Sequence, residues 1–517
     1  MYFYIMKFNY YFLFFLTIIS FNLSGQKKEK ITYKADELKF RRIDKEPVRK
    51  LIGNVVFIQG DTEIKCDSAN FYNRKNTLEA YGNILITNSD SSTINAELLV
   101  YDGETKSAKL RKNVIYIKGD EQIKTNNLDY FIDEKKGFFF NEGELKDETN
   151  ILKSRNGIFY GDKDLSVFYV DVELLGENYK LTADSMTYNS TTKEAITYGY
   201  TEILSDDSLY IESLGGSFTQ DSNNSSLNSS KIESDEYILE ADFINFDEIN
   251  SIYFAQNKVK LKIKKTDYYV LGDEGIYDRE NNLTKIYGNA LLRKNIAQDT
   301  FYLSSDTILA LDSKNEMNKL FAYNNVKFYK NNFIGKTDSV VFFVKDSLLE
   351  MYNDPIIWNN NNQISSDTIQ FKLIDDKVDE MNLIRNSFII SQDTLGNFNQ
   401  IKGRNMKADF YENDFLKSIE VSGNGETIYF GLNEETNSII GLNYIVCSDL
   451  KLNFNENEIE NIIFYRNPKA KMIPPHEIKE TDLYLKSFNW RNDETPNIQD
   501  VVFYFRKKIY LRNDSIF

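Results

Sequence analysis

Histidine occurs once in this chain of 517 residues, at His476, and cysteine twice, at Cys66 and Cys447. That scarcity excludes much chemistry. A histidine-based zinc site, a Ser-His-Asp triad and a Cys-His dyad all need residues the main body of the chain lacks. Proline (6) and tryptophan (2) are also few, while phenylalanine (37) and tyrosine (34) are abundant. A chain with so many aromatics and so little proline is not of the disordered, low-complexity kind. Positive charge is the minority sign, with 62 basic residues against 78 acidic ones and a net charge of −16. A nucleic-acid partner wants a basic face, so none is expected. Length alone would suggest about three ordinary domains of roughly 150 residues.

Only one long apolar run is present, and it stands at the start. Residues 1–25 carry a single charge, Lys7, followed by YYFLFFLTIISF and the small Ser24 and Gly25. A positive start, an apolar core and small residues at the cut form a secretory signal, cleaved near Gly25–Gln26; Met6 offers a second, tidier start. A membrane anchor needs about 20 apolar residues, and Asn9, Asn22 and Ser24 shorten this stretch. No cysteine stands at the cut, so lipid attachment is not expected there. Loss of Lys7 takes the net charge from −16 to −17. The mature chain is expected to be soluble and outside the cytoplasm.

The body is one unit repeated about fourteen times. LTADSMTY (181–188), LEADFINF (239–246) and ISSDTIQF (364–371) share a frame: apolar first, small at +2, Asp at +3, apolar near +5, aromatic at +7. The +2 position is small in every repeat, from Ala35, Cys66 and Ala96 to Gly403 and Ser448. The +7 position is aromatic in all of the first nine repeats, Phe40 to Tyr277, and first fails at Ala310. A second segment alternates with the first, as GNVVFIQG (53–60), GNILITNS (82–89) and KNVIYIKG (112–119); its opening Gly or Asn suits the positive φ of a turn. Polar connectors such as NRKN, DGET and DREN follow the aromatic. The repeat is therefore strand, turn, strand, turn, without room for an ordinary helix.

Within the first strand the apolar positions slip by one residue at the Asp. A straight strand would send +5 and +7 to the opposite face from 0 and +2. Keeping both pairs inside requires a bulge or corner at the Asp, where the strand bends from one sheet into another. The expected fold is all-β, an elongated jelly roll or solenoid with an apolar column inside. Asp stands at the corner in nine repeats: Asp36, Asp67, Asp184, Asp242, Asp273, Asp306, Asp338, Asp367 and Asp449. Such a ladder could bind cations or cleave glycosides. The structural alternative, in which each Asp bonds nearby backbone, is favoured because stacked like charges repel.

The Asp-corner strand paired with a Gly-Asn strand resembles the OstA-like family, the LptA-type lipopolysaccharide-transport proteins. KADELKF…LIGNVVFIQGDTEIKCDSANFY (34–72) carries the likeness most plainly; QIKGRNMKADFY (400–411) and VSGNGETIYF (421–430) resemble long, Bacteroidetes-type OstA-like proteins. The resemblance implies a periplasmic jelly roll that holds the acyl chains of lipopolysaccharide and carries or bridges it towards the outer membrane, with other transport components at both membranes as partners. It implies no enzyme activity, cofactor or metal. This chain departs from the short members in having many more repeats. The groove-facing candidates are Phe71, Tyr101, Tyr130, Phe159, Leu181, Met186, Tyr188, Phe218, Leu239, Ile244, Phe246 and Tyr277. The repeat aromatics could equally be packed core. Lys260, Lys262, Lys264 and Lys265 could meet phosphates or simply form a solvated edge.

The repeats are expected to fill residues 26–454. Residues 220–236, rich in Ser and Asn, read as an exposed loop. A C-terminal cap spans 455–517: it holds four of the six prolines, is expected to form one short helix around 476–488, and reverts to strand at 500–511. Cys66 and Cys447 lie too many rungs apart for a disulfide. Three alternatives remain open on the residues alone: an LptD-like outer-membrane assembly protein, a carbohydrate-acting β-helix enzyme, and a structural or adhesive solenoid with a filled interior.

Overall fold

The computed structural model describes residues 29–502, apart from 207, 220–223, 248, 266–267, 297–298, 314–315, 331–332, 360, 412–414, 434–435, 437 and 456–457. The leader, 1–25, lies outside the described residues, as do 503–517. The chain divides into two compact units, Met1–Phe139 and Phe140–Phe517. Both are antiparallel β throughout their repeats, with each strand paired chiefly to its sequence neighbours.

In the first unit, strand Thr62–Tyr72 shows how the repeat folds. Ile64 and Cys66 are buried, then Ala69 and Phe71, so the alternation slips at Asp67. Its partner Thr77–Thr87 buries Leu78 and Ala80, then Ile84 and Ile86. Lys65 pairs with Leu85 and Ser68 with Tyr81, so two residues on one strand face three on the other. That extra residue is the bulge, and it bends both strands at one level. The corner expected from the sequence is therefore present.

Its chemistry differs in one respect from the expectation. Gly82 (φ 74°) and Asn83 (φ 44°) are both left-handed, and they sit at the corner in mid-strand, opposite Asp67, rather than opening a new strand after a turn. A left-handed pair fits either place, and only the pairing register distinguishes them. The Asn83 amide donates to Asp67 Oδ2 at 2.9 Å, and a Cβ on Gly82 would collide with that carboxylate. The same staple recurs from Asn54 to Asp36 (2.9 Å), Asn289 to Asp273 (2.9 Å) and Asn386 to Asp367 (3.0 Å). Elsewhere backbone N–H groups serve, as Tyr200 N to Asp184 (2.8 Å) and Gly423 N to Asp449 (3.0 Å). The corner acids thus fasten neighbouring strands, more often through an opposing side-chain amide than through backbone. Among the described residues no three His, Cys, Asp or Glu side chains cluster as a metal site.

In the second unit, strand Tyr179–Asn189 bends at Asp184. Leu181, Ala183, Met186 and Tyr188 are all buried, with a register shift between Ala183 and Ser185. Two features depart from the sequence reading. Asn224–Glu233, inside the expected loop, is a strand paired with Tyr237–Asp247; Leu227, Ser230 and Ile232 are buried, and Ser229 and Ser230 stand at its corner. The sheet also runs past residue 454, through Glu458–Tyr465 and Lys469–Ile473.

Among the described residues after Ile473 there is no helix of normal length. The chain makes three short 3-10 turns, Pro475–Glu477, Glu480–Asp482 and Asn492–Glu494. Residues 498–502 begin a helical turn where strand was expected. This segment lies as a strap on Phe388, Ile390, Ile428, Phe430 and Leu442, which it covers with Leu485, Phe488 and Trp490. Two buried glutamines hold it like rungs of a ladder. Gln400 donates to Leu483 O and accepts from Leu485 N (both 2.8 Å); Gln363 donates to Asn489 O and accepts from Arg491 N (both 2.7 Å). The strap explains why residues 388–390 are buried on both faces of their strand. Cys66 and Cys447 are both buried free thiols.

Candidate functional site

The bend aims apolar side chains from both halves of each strand into one interior, but that interior is not uniform. Within the first unit Phe40 of the first repeat is 76% exposed, but the aromatics of the later repeats pack against one another. Phe71 lies 5.8 Å from Phe57 and Tyr130 lies 5.9 Å from Tyr116, centroid to centroid. The Tyr101 hydroxyl donates to Gln59 Oε1 at 2.7 Å. Phe71, Tyr101 and Tyr130 are each 1% exposed. In the second unit Phe159, Leu181, Met186, Tyr188 and Ile244 are likewise buried. Phe218, Leu239, Phe246 and Tyr277 are only half-buried.

Further along the second unit the interior opens into a cleft of about 130 Å³, lined by residues between 268 and 378. Leu292, Leu303, Leu320, Phe328, Val340 and Phe371 are its buried lining; Phe301, Phe342, Leu349, Leu373 and Val378 are half-buried. Tyr268, Lys294, Lys330 and Asp376 bring the only polar groups among its lining residues. Lys294 binds Asp376 at 2.6 Å, and its ammonium stands 4.7 Å from the centre of the Tyr268 ring. Burial would lower the Lys294 ammonium, but Asp376 and Tyr268 hold it above its usual value. Burial likewise raises the Tyr268 phenol.

None of the twelve residues singled out in the sequence lines this cleft. A signal for it does exist. Ala310, where the aromatic frame first fails, pairs with Leu320 of the cleft wall, and Gly335 leaves room for the Phe328 ring, which a Cβ there would strike. The four lysines lie elsewhere. Lys260 pairs with Glu240 (2.9 Å) and Lys264 with Glu233 (2.9 Å), while Lys262 rests over the Tyr269 ring.

Chemically the cleft offers a long apolar wall with one lysine–aspartate pair at its rim. An alkyl chain gains about 0.8 kcal/mol per methylene on entering such a wall.

Comparison with known proteins agrees with this layout. Residues 27–184 match the OstA-like protein family, and residues 269–377 match the LptA/(LptD N-terminal domain) LPS transport protein family. A search of curated proteins gave no match. Among solved structures, LptH of Pseudomonas aeruginosa, described as the LptA-homologous periplasmic component of the lipopolysaccharide transport device, is similar at 12% identity and a TM-score of 0.20, covering 23% of this chain and 82% of its own. Two segments thus match families of one kind, and a corner-and-staple repeat spans both, which supports an OstA-like protein with a role in lipopolysaccharide transport.

Proposed function

We propose that this protein is a periplasmic carrier of lipopolysaccharide, or of a similar acyl-chain lipid, which holds the acyl chains in the 268–378 cleft. It hands the lipid towards the outer membrane together with other transport components. One observation carries the reading: the open apolar cleft falls on the stretch, 269–377, that matches the LPS transport family. The matched families are lipopolysaccharide-transport proteins, which are non-enzymatic. The leader read from residues 1–25 would deliver the chain to the periplasm.

Recognition rests on the tails, because a chain of net charge −16 repels an anionic headgroup. About five methylenes, roughly what a cleft of about 130 Å³ encloses, would supply about 4 kcal/mol before the cost of immobilisation. Lys294, held charged by Asp376, stands at the lip where a phosphate leaving the cleft would pass.

The test is native mass spectrometry of the purified full chain with lipopolysaccharide. A one-to-one complex is expected, abolished by Phe342→Glu together with Leu373→Glu. Binding that survives both substitutions would move the ligand away from this cleft.

A further inference from the structure

The roll has two lips, each a row of hairpin turns. Lys146 pairs with Ile151, Ile151 with Leu175, and Leu175 with Lys180. Turn 147–150 therefore belongs to the same lip as turn 176–178. Turn 190–193 lies at the far end of the 11-residue strand Tyr179–Asn189, beyond its corner, and so on the opposite lip.

Yet the two turns meet. Asp147, 5% exposed, accepts the Thr149 and Asn150 amides on Oδ1 (3.0 and 2.8 Å). Its Oδ2 accepts the Lys193 ammonium at 3.0 Å and a short bond from the Tyr188 hydroxyl. Asn150 Nδ2 donates to the same hydroxyl at 3.2 Å. Burial alone would push the Asp147 carboxyl up, but these donors together hold it below its usual value. A buried, fully ligated carboxylate with partners 41 and 46 residues away is expensive to assemble, and the carrier mechanism has no use for it within the cleft. Behind it the interior is filled, with Leu145, Leu181 and Met186 at 0% exposure. Further on, Phe218, Leu239, Phe246 and Tyr277 are half-open to solvent.

We propose that the Asp147–Tyr188–Lys193 cluster is a latch that holds the two lips shut, so that an apolar ligand reaches the interior around Phe159 only when it opens. The ligand part rests on the carrier reading above; the closing of the lips does not. Related contacts join the lips in the first unit, between Gln59 and Tyr101 (2.7 Å) and between Asp90 and Lys135 (3.1 Å). They lack a carboxylate as deeply buried and as fully ligated.

The test uses the full chain with Cys66→Ala and Cys447→Ala, spin-labelled through Glu148→Cys and Thr192→Cys on the exposed faces of the two turns. A single narrow distance is expected in this parent. Tyr188→Phe, which keeps the core ring, and Lys193→Met should each broaden the distribution towards longer distances and raise amide exchange at 147–150 about tenfold, the scale of one lost charged hydrogen bond. A photoreactive residue at Phe159 should then form lipopolysaccharide adducts in the variants and not in the parent. Unchanged distances in both variants would overturn the latch, as would equal adducts at Phe159 with the latch intact. If no lipid adduct forms even in the 268–378 cleft, the carrier reading falls, and the distances alone still decide whether the lips are latched.

Discussion

Replacing Gly288 by alanine should loosen the corner that carries one wall of the cleft. Gly288 has φ 72°, and a Cβ there would stand 2.9 Å from Asp273 Cβ and 3.1 Å from its Oδ2. The left-handed backbone costs an alanine about 1 kcal/mol. The clash must also push Asp273 off the Asn289 amide, now 2.9 Å away, at about 1.5 kcal/mol for a hydrogen bond to a charged group. Together Gly288→Ala should destabilise the corner locally by about 2–3 kcal/mol. A solenoid of this length does not unfold in one step, so the local opening energy is the quantity to measure. Hydrogen exchange along Leu283–Ile296 supplies it. Asp273→Ala alone should cost about 1.5 kcal/mol. The pair should cost about 1–1.5 kcal/mol less than the sum, because the clash and the lost bond share one carboxylate. Strict additivity, or an unchanged exchange rate in Gly288→Ala, would refute the steric account of the glycine.

Three further outcomes follow. Leu349→Gln in the half-buried part of the cleft wall should weaken binding of a fluorescent fatty acid about tenfold, roughly the worth of two methylene contacts, while leaving the far-ultraviolet circular dichroism unchanged. Gln400→Ala leaves Leu483 O and Leu485 N without their partner and should lower the strap's local stability by about 2 kcal/mol, read as faster protease cleavage between 475 and 495. The Glu494 carboxyl is held down to about 2 by Arg491 and Lys336. A depressed acid stabilises fully above its unfolded value, near 4.5, and that support is lost as pH falls towards 2. Trp490 fluorescence should therefore shift over that window, and Glu494→Gln should remove the acid-dependent part of the change.

The corner was legible because two independent signals coincide: a one-residue slip in the apolar pattern at Asp184, and a small residue just before it. The staple was half legible. The Gly-Asn pair announces left-handed backbone, but turns and bulges demand the same residues, and only the register of Lys65 with Leu85 and Ser68 with Tyr81 places the pair in mid-strand. The strap hid from pattern reading because its partners on the sheet, Phe388 and Ile390, look like ordinary strand residues. Their meaning lies in Ile389 being buried too, which requires cover on both faces. The cleft was least visible. Leu, Ile and Phe occupy inward positions whether the interior is filled or open, so the apolar pattern does not distinguish the two states.

The central claim is that the acyl-chain site is the cleft between 268 and 378 and not the buried interior around Phe71. It is tested most directly by placing one photoreactive residue at Phe342 in one protein and at Phe71 in another, then irradiating each with bound lipopolysaccharide. The account predicts a covalent lipid adduct at Phe342 and none at Phe71, which is 1% exposed. An adduct at Phe71 as strong as that at Phe342, or none at Phe342, would contradict it.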